Sequence, residues 1–190
     1  MTPLPDCLLE AVASAAVREG LADAVYTRVN TPIGPLTVVQ GEHGVVRVGF
    51  AEEAVDRLLA EVAAGLGPRI IASDAELAAT RDAIDAYFAG EDERLALPVD
   101  FSLVRSPFRR AALEELRTVG PGSVITYGGL AARIGHPRAA RAIGTACARN
   151  PIPIVVPCHR VLPGSGGLGN YGGGPERKRV LLAHEGALRA

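Results

Sequence analysis

The sequence predicts an α/β (α+β) protein in two parts. A small N-terminal α/β domain is built on a three-stranded antiparallel sheet with helices, and a mostly helical C-terminal domain carries a helix-turn-helix. Three observations predict this. Three Val- and Thr-rich runs, separated by Pro and Gly turns, fall within residues 26–50. Helical periodicity returns after residue 107 in closely spaced segments. The charge also divides: residues 1–104 hold 7 Arg and 17 Asp+Glu, a net −10, whereas residues 105–190 hold 12 Arg, one Lys and 4 Glu, a net +9. The overall charge of −1 on 190 residues therefore conceals a basic half suited to a polyanion such as nucleic acid. The expected organisation is an extension over residues 1–24, an acidic α/β domain over 25–104, and a basic domain over 105–190, with the boundary near residues 97–107.

Composition narrows the class. With 48% apolar and 22% charged residues, collagen-like, disordered and coiled-coil readings are excluded. Long uncharged runs such as residues 29–41 and 161–175 contain Gly and Pro and fall short of the ~18 apolar residues of a membrane span. Residues 1–17 lack a basic leader and are interrupted by Glu10, so no secretory signal is expected. Three widely spaced cysteines (Cys7, Cys147, Cys158) argue against a disulfide framework and for a reducing cytoplasm.

In the first half, a helix is expected over residues 8–19, with apolar Leu8, Leu9, Val12 and Val17. Strands are expected over 26–31, 36–40 and 45–50, and amphipathic helices over 51–64 and 74–88, the second capped by Asp74 and Gly90. No metal-spaced cluster or recognisable nucleophile falls here. In the second half, helices are expected over 108–119, 128–134 and 137–149. Gly135-His136-Pro137 forms the turn between the last two, with Pro137 at the first helical position. Apart from Arg138, Arg141 and Arg149, the third helix is mostly Ala, Gly and Thr. A helix reading base edges wants long polar side chains, so this one favours close backbone approach with a single inserted wedge.

The segment from Asn150 to Val161 is the most informative. Asn150-Pro151 ends the helix, where an Asn side chain can form an Asx turn. Residues 154–156 lie between prolines and read as a buried connector. The connector delivers Cys158 beside His159 and Arg160, surroundings that could stabilise a thiolate. Neighbours on a strand face opposite ways, so proton transfer between Cys158 and His159 requires a turn here or a bridging water. Metal binding by Cys147, Cys158 and His159 lacks ligand spacing. Gly164–Gly169 matches G-x-G-x-x-G by accident, because no βαβ unit can follow before residue 190.

Pro157-Cys158-His159-Arg160-Val161 resembles the active-site motif of the O6-alkylguanine-DNA alkyltransferases, also called methylated-DNA–protein-cysteine S-methyltransferases. Thr126-Tyr127-Gly128, Arg141-Ala142-Ile143-Gly144, Asn150-Pro151, Gly169-Asn170-Tyr171-Gly172-Gly173, Lys178 and Leu181-Leu182 before Glu185-Gly186 agree in order and spacing. The match spans residues 105–187; a looser one begins near Thr31-Pro32-Ile33-Gly34-Pro35-Leu36.

The resemblance implies a ribonuclease H-like first domain, a winged-helix-like second one, and single-use repair of O6-alkylguanine in double-stranded DNA, with O4-alkylthymine as a second substrate. Cys158 would accept the alkyl group, His159 would activate it through a water, and Glu185 would orient His159. Tyr127 would protonate the leaving guanine and Asn150 would brace the site. Arg141 would fill the gap left by a flipped base, beside Arg138, Ala139 and Ala140 in the minor groove. Val161, Tyr171, Gly172, Pro153 and Lys178 would form the substrate pocket.

The resemblance implies a monomer with no cofactor, metal or membrane partner. Relatives commonly carry Phe-Gln and a Trp where this chain has Phe108-Arg109-Arg110 and no Trp. A lesion sensor or a plain helix-turn-helix binder would not require Cys158, and its presence favours the enzyme.

Overall fold

A computed structural model describes residues 5–92 and 94–188. The chain forms two compact units, one of residues 1–85 and 97–103, the other of 86–96 and 104–190. The expected single boundary is thus crossed three times. Residues 86–96 belong with the C-terminal half, while 97–103 return to the first unit. That return has a local cause: Val45 N–H donates to Pro98 O at 2.9 Å and Asp100 N–H to Val45 O at 3.0 Å. Gly44, at φ +137°, lets the backbone come this close, since a Cβ there would lie 2.5 Å from Pro98 O.

The first unit is a mixed four-stranded sheet in the order β3-β2-β1-β4, from β1 (Ala24–Val29), β2 (Leu36–Gly41), β3 (Gly44–Phe50) and β4 (Ile70–Ala72). The three expected strands pair antiparallel, Val29 opposite Leu36 and Leu36 opposite Phe50, with a bulge at Val39/Gln40. Strand β4 runs parallel to β1 and was not expected; its three residues are too short to show a period. Helices α1 (Asp6–Arg18), α2 (Val55–Leu66) and the part of α3 (Ala78–Ala89) up to Asp85 complete the outline. Leu58 and Val62 of α2 pack on Ala24, Val39 and Val46 of the sheet, each such side chain contributing about 1.5–3 kcal/mol.

Two expectations fail here. Asp74 does not cap α3, because its carboxylate accepts a hydrogen bond from the Thr27 hydroxyl and pairs with Arg81. Residues 6–18 are not an appended extension. Glu10 accepts from the Ser73 hydroxyl and from Asp74 N–H, and Ser14 donates to Glu76 at 2.6 Å.

In the second unit, α4 (Pro107–Leu116) starts at the Ser106 cap, whose hydroxyl accepts from Arg109 N–H. Helix α5 (Tyr127–Arg133) follows β5 (Ile125–Thr126) and is capped by Thr126, which accepts from Gly129 N–H at 3.0 Å. Helix α6 (Ala140–Ala148) begins three residues later than expected. Pro137 is not its first residue. Pro137 occupies the second position of a turn closed by Ala139 N–H to His136 O at 2.8 Å, where its fixed φ is equally well suited.

A 3₁₀ turn (Cys158–Arg160) leads into β6 (Val161–Leu162), which pairs parallel with β5, and α7 (Pro175–His184) closes the unit. Leu113, Leu116, Leu130, Ile143, Ile152, Leu181 and Leu182 form its buried interior. Among the described residues no helix is long and apolar enough to cross a membrane.

Candidate active site

Asn150, at the end of α6, organises the Cys158 segment. Its Oδ1 accepts from Ile152 N–H at 3.0 Å, the expected Asx turn, and its Nδ2 donates to Val156 O at 2.8 Å. The same Nδ2 donates to Cys158 Sγ at 3.2 Å. Between these anchors Ile154 is held at φ 75°, a left-handed conformation that costs a β-branched residue about 1–3 kcal/mol. Burial of Ile152, Val155 and Val156 and the Asn150 bonds offset that cost.

Cys158 therefore emerges on a 3₁₀ turn rather than a strand, which removes the opposite-face problem. Its thiol is pushed up to about 11 by burial, against the lowering effects of the Asn150 bond and the Lys178 charge. The free thiol is thus protonated at neutral pH. Arg160 does not supply the expected stabilising charge, because its guanidinium turns to Glu185 and to Val119 O.

His159 is fully buried and donates from Nε2 to Glu185 Oε1 at 2.9 Å. Its Nδ1 has no hydrogen-bond partner among the described residues. Burial holds the imidazole below its ordinary pKa, although the Glu185 carboxylate opposes this. Burial would raise Glu185, but hydrogen bonds from Arg160 and His159 outweigh it and bring the carboxyl to about 2. The pair is therefore a neutral base held by a carboxylate, with one basic nitrogen available.

Cys158 lies on a cavity of about 850 Å³, walled by Tyr127, Arg141 and Gly144 on one side and by Gly169, Tyr171 and Gly172 on another. The volume is ample for a nucleobase with a small substituent. Tyr127 is kept neutral by burial and by the neighbouring thiols, so it remains a proton donor. Gly169 sits at φ +66°, where a Cβ would approach Pro163 Cγ to 2.8 Å and Tyr127 Oη to 3.8 Å. Arg141 is exposed beside Ala140 at the cavity mouth, whereas Arg138 and Ala139 precede α6 and do not line the cavity.

Three expected pocket residues also lie outside its lining. Pro153 is buried in the connector, Val161 is fully buried in β6, and Lys178 is buried with Nζ donating to Val161 O at 2.8 Å and to Asn170 O at 3.4 Å. Lys178 thereby ties α7 to both flanks of the site. Cys147 and Thr145 line the cavity and were not singled out as site residues; Thr145, four residues after Arg141, and Cys147, three after Gly144, carried that signal in their helical spacing. No group of three or more His, Cys, Asp or Glu that could hold a metal is found among the described residues.

A family model described as 6-O-methylguanine DNA methyltransferase, DNA binding domain, matches residues 107–187, and its ribonuclease-like domain matches residues 24–101. The methylated-DNA–protein-cysteine methyltransferase of Salmonella typhimurium is 39% identical over 179 residues, covering 85% of this chain and 95% of its own length. The Mycobacterium leprae protein of the same name is 39% identical over 156 residues, covering 82% and 88%. Among solved structures, Mycobacterium tuberculosis OGT in complex with DNA superposes with a TM-score of 0.73 at 34% identity, covering 86% of this chain and 93% of that one.

Proposed function

The chain belongs to the 6-O-methylguanine DNA methyltransferase family, and from that premise we propose that it repairs O6-alkylguanine in double-stranded DNA by irreversible transfer of the alkyl group to Cys158. The observation that carries this reading is the meeting of Cys158, the His159–Glu185 pair and the neutral Tyr127 phenol around one cavity.

The flipped guanine enters between Tyr127 and the Tyr171-Gly172 backbone, and Arg141 fills the space it leaves, offsetting part of an unstacking cost of a few kcal/mol. A water between Cys158 Sγ and His159 Nδ1 carries the thiol proton to the imidazole, and the Glu185 carboxylate stabilises the resulting imidazolium. Sulfur attacks the alkyl carbon, a C–S bond forms as the C–O6 bond breaks, and Tyr127 gives its proton to the departing base. The product thioether does not release the group, so each molecule acts once. Asn150 braces the thiol, and Lys178 holds Val161 and the Gly-rich loop from behind. O4-alkylthymine is a second substrate of the same geometry.

The basic second unit carries the DNA contacts as well as the acceptor, with the Ala- and Gly-rich face of α6 in the minor groove and Arg138 and Ala139 at its approach. The protein works as a monomer without a cofactor. Its free cysteines Cys147 and Cys158 suit a reducing cytoplasm.

The test is intact-protein mass after mixing with an O6-methylguanine duplex. The protein gains one methyl group and Cys158→Ser gains none. Unchanged mass with retained binding means a lesion sensor and overturns the proposal.

A further inference from the structure

Glu185 is the most heavily engaged carboxylate described in the second unit. Its Oε2 accepts from Arg160 Nε at 2.8 Å. Its Oε1 accepts three donors: His159 Nε2 at 2.9 Å, Arg160 Nη2 at 2.7 Å and the Tyr87 hydroxyl at 2.7 Å. Tyr87 is the unexpected member. It comes from the last turn of α3, in the half of the sequence to which no chemistry was assigned, yet residues 86–96 belong to the acceptor unit.

Its orientation is fixed from several directions. The side chain is 1% exposed. Its ring meets His184 edge-on at 4.9 Å and Phe88 at 5.0 Å, and its carbonyl accepts from His184 Nε2 at 2.7 Å. His184 immediately precedes Glu185, so α7 and residues 87–88 are held together next to the carboxylate.

We infer that Tyr87 is a positioning residue for the transfer reaction, setting how basic His159 is by sharing the Glu185 oxygen on which His159 depends. The inference rests on the reading of His159 as the base. The physical argument is competition for one oxygen. Each donor to Oε1 draws charge from it, and a carboxylate with less charge stabilises the imidazolium less.

The other groups facing this pair do not change with Tyr87. They are Arg160 and Cys158 on the turn itself, Lys178 and His184 of α7, and Tyr171 with its ring 6.3 Å from that of His159. Tyr87 itself stays protonated, since burial and the Glu185 charge push its phenol far above the usual range. It acts only as a donor.

Tyr87→Phe keeps the ring and removes the donor. Two readouts test the inference on the full chain, each followed from neutral pH down to the pH at which the protein unfolds: single-turnover transfer from an O6-methylguanine duplex, and NMR titration of the His159 ring. Only part of the lost hydrogen bond differs between the two imidazole states, so the His159 pKa and the acid limb of the rate profile rise by about 0.5–1 unit. The rate on the alkaline side of the limb changes little. A uniform loss of rate with an unmoved limb, or no change in either readout, overturns the inference and leaves Tyr87 a packing residue.

The NMR titration does not require transfer. Wild-type protein that fails to gain a methyl group therefore overturns the proposed function, while the His159 shift still decides the role of Tyr87. If Tyr87→Phe does not fold, 3-fluorotyrosine at position 87 is a stronger donor and moves the His159 pKa downward. An unchanged or higher value overturns the inference.

Discussion

Asn150→Asp isolates what the amide does for Cys158. The substitution is isosteric, and the remaining oxygen still accepts from Ile152 N–H, so the Asx turn survives. The Nδ2 group is lost, and with it the donors to Val156 O at 2.8 Å and Cys158 Sγ at 3.2 Å. An ionised carboxylate at 3.2 Å from a thiolate repels it by about 5 kcal/mol at an effective dielectric of about 20. The new carboxyl therefore stays protonated while sulfur ionises, and its one proton serves two acceptors where the amide offered two.

One acceptor is always left short. If it is the buried Val156 carbonyl, the fold loses about 1–3 kcal/mol; if it is the developing thiolate, the transition state loses about 1.5–3 kcal/mol. The assay is single-turnover methyl transfer from an O6-methylguanine duplex, with a thermal melt on the same preparation. Transfer slows by about 10–100-fold, and the melting temperature falls by a few degrees. Transfer within about threefold of wild type at an unchanged melting temperature would show that the amide neither braces the loop nor supports sulfur.

Two further expectations follow from the cavity and from the buried base. Arg141→Ala slows transfer from duplex DNA by about 10-fold or more, in line with a few kcal/mol of unstacking left without a wedge, but has little effect on the free base O6-methylguanine. Equal losses on both substrates contradict the finger role. Stability falls as pH drops below about 6.5, because the unfolded His159 binds a proton there while burial keeps the folded one neutral. The loss approaches about 1.4 kcal/mol per pH unit. Glu185 adds to it only below about 4.5, as pH falls toward its folded value of about 2. Melting curves of wild type and His159→Gln therefore diverge between about pH 6.5 and 4.5; parallel curves refute the assignment.

What the sequence disclosed and what it withheld follow from the range of the interactions. The three antiparallel strands, the helix-turn-helix and the Cys158 loop are specified within short windows by β-branched runs, caps and prolines, and all are present. Strand β4 depends on a parallel partner more than 40 residues away in sequence, and three residues carry no period. Asp74 looked like a cap locally, but Thr27 and Arg81 claimed its carboxylate. At the site, Cys158, His159 and Asn150 share one local turn system, and motif spacing could place them together. Arg160 was legible as a charge but not as a direction, since the Glu185 that turns it is 25 residues downstream. Tyr87, 98 residues from its partner carboxylate, had no local signature beyond being an aromatic on an amphipathic helix.

The protonated state of Cys158 at first looks like a defect in a nucleophile, yet it suits a reagent that is consumed in one reaction. With a thiol pKa of about 11, ionisation at pH 7 costs about 5 kcal/mol, so stray electrophiles meet almost no thiolate. Cys158 is also only 5% exposed. The same burial that raises the thiol lowers His159 and keeps it a neutral base, while Glu185 remains ionised and ready to receive the imidazolium. The ionisation cost is therefore offset only when an alkyl carbon is held against sulfur and proton transfer is coupled to bond formation. Low reactivity in the free protein and transfer in the filled site then have one common cause, the desolvation of Cys158 and His159 together.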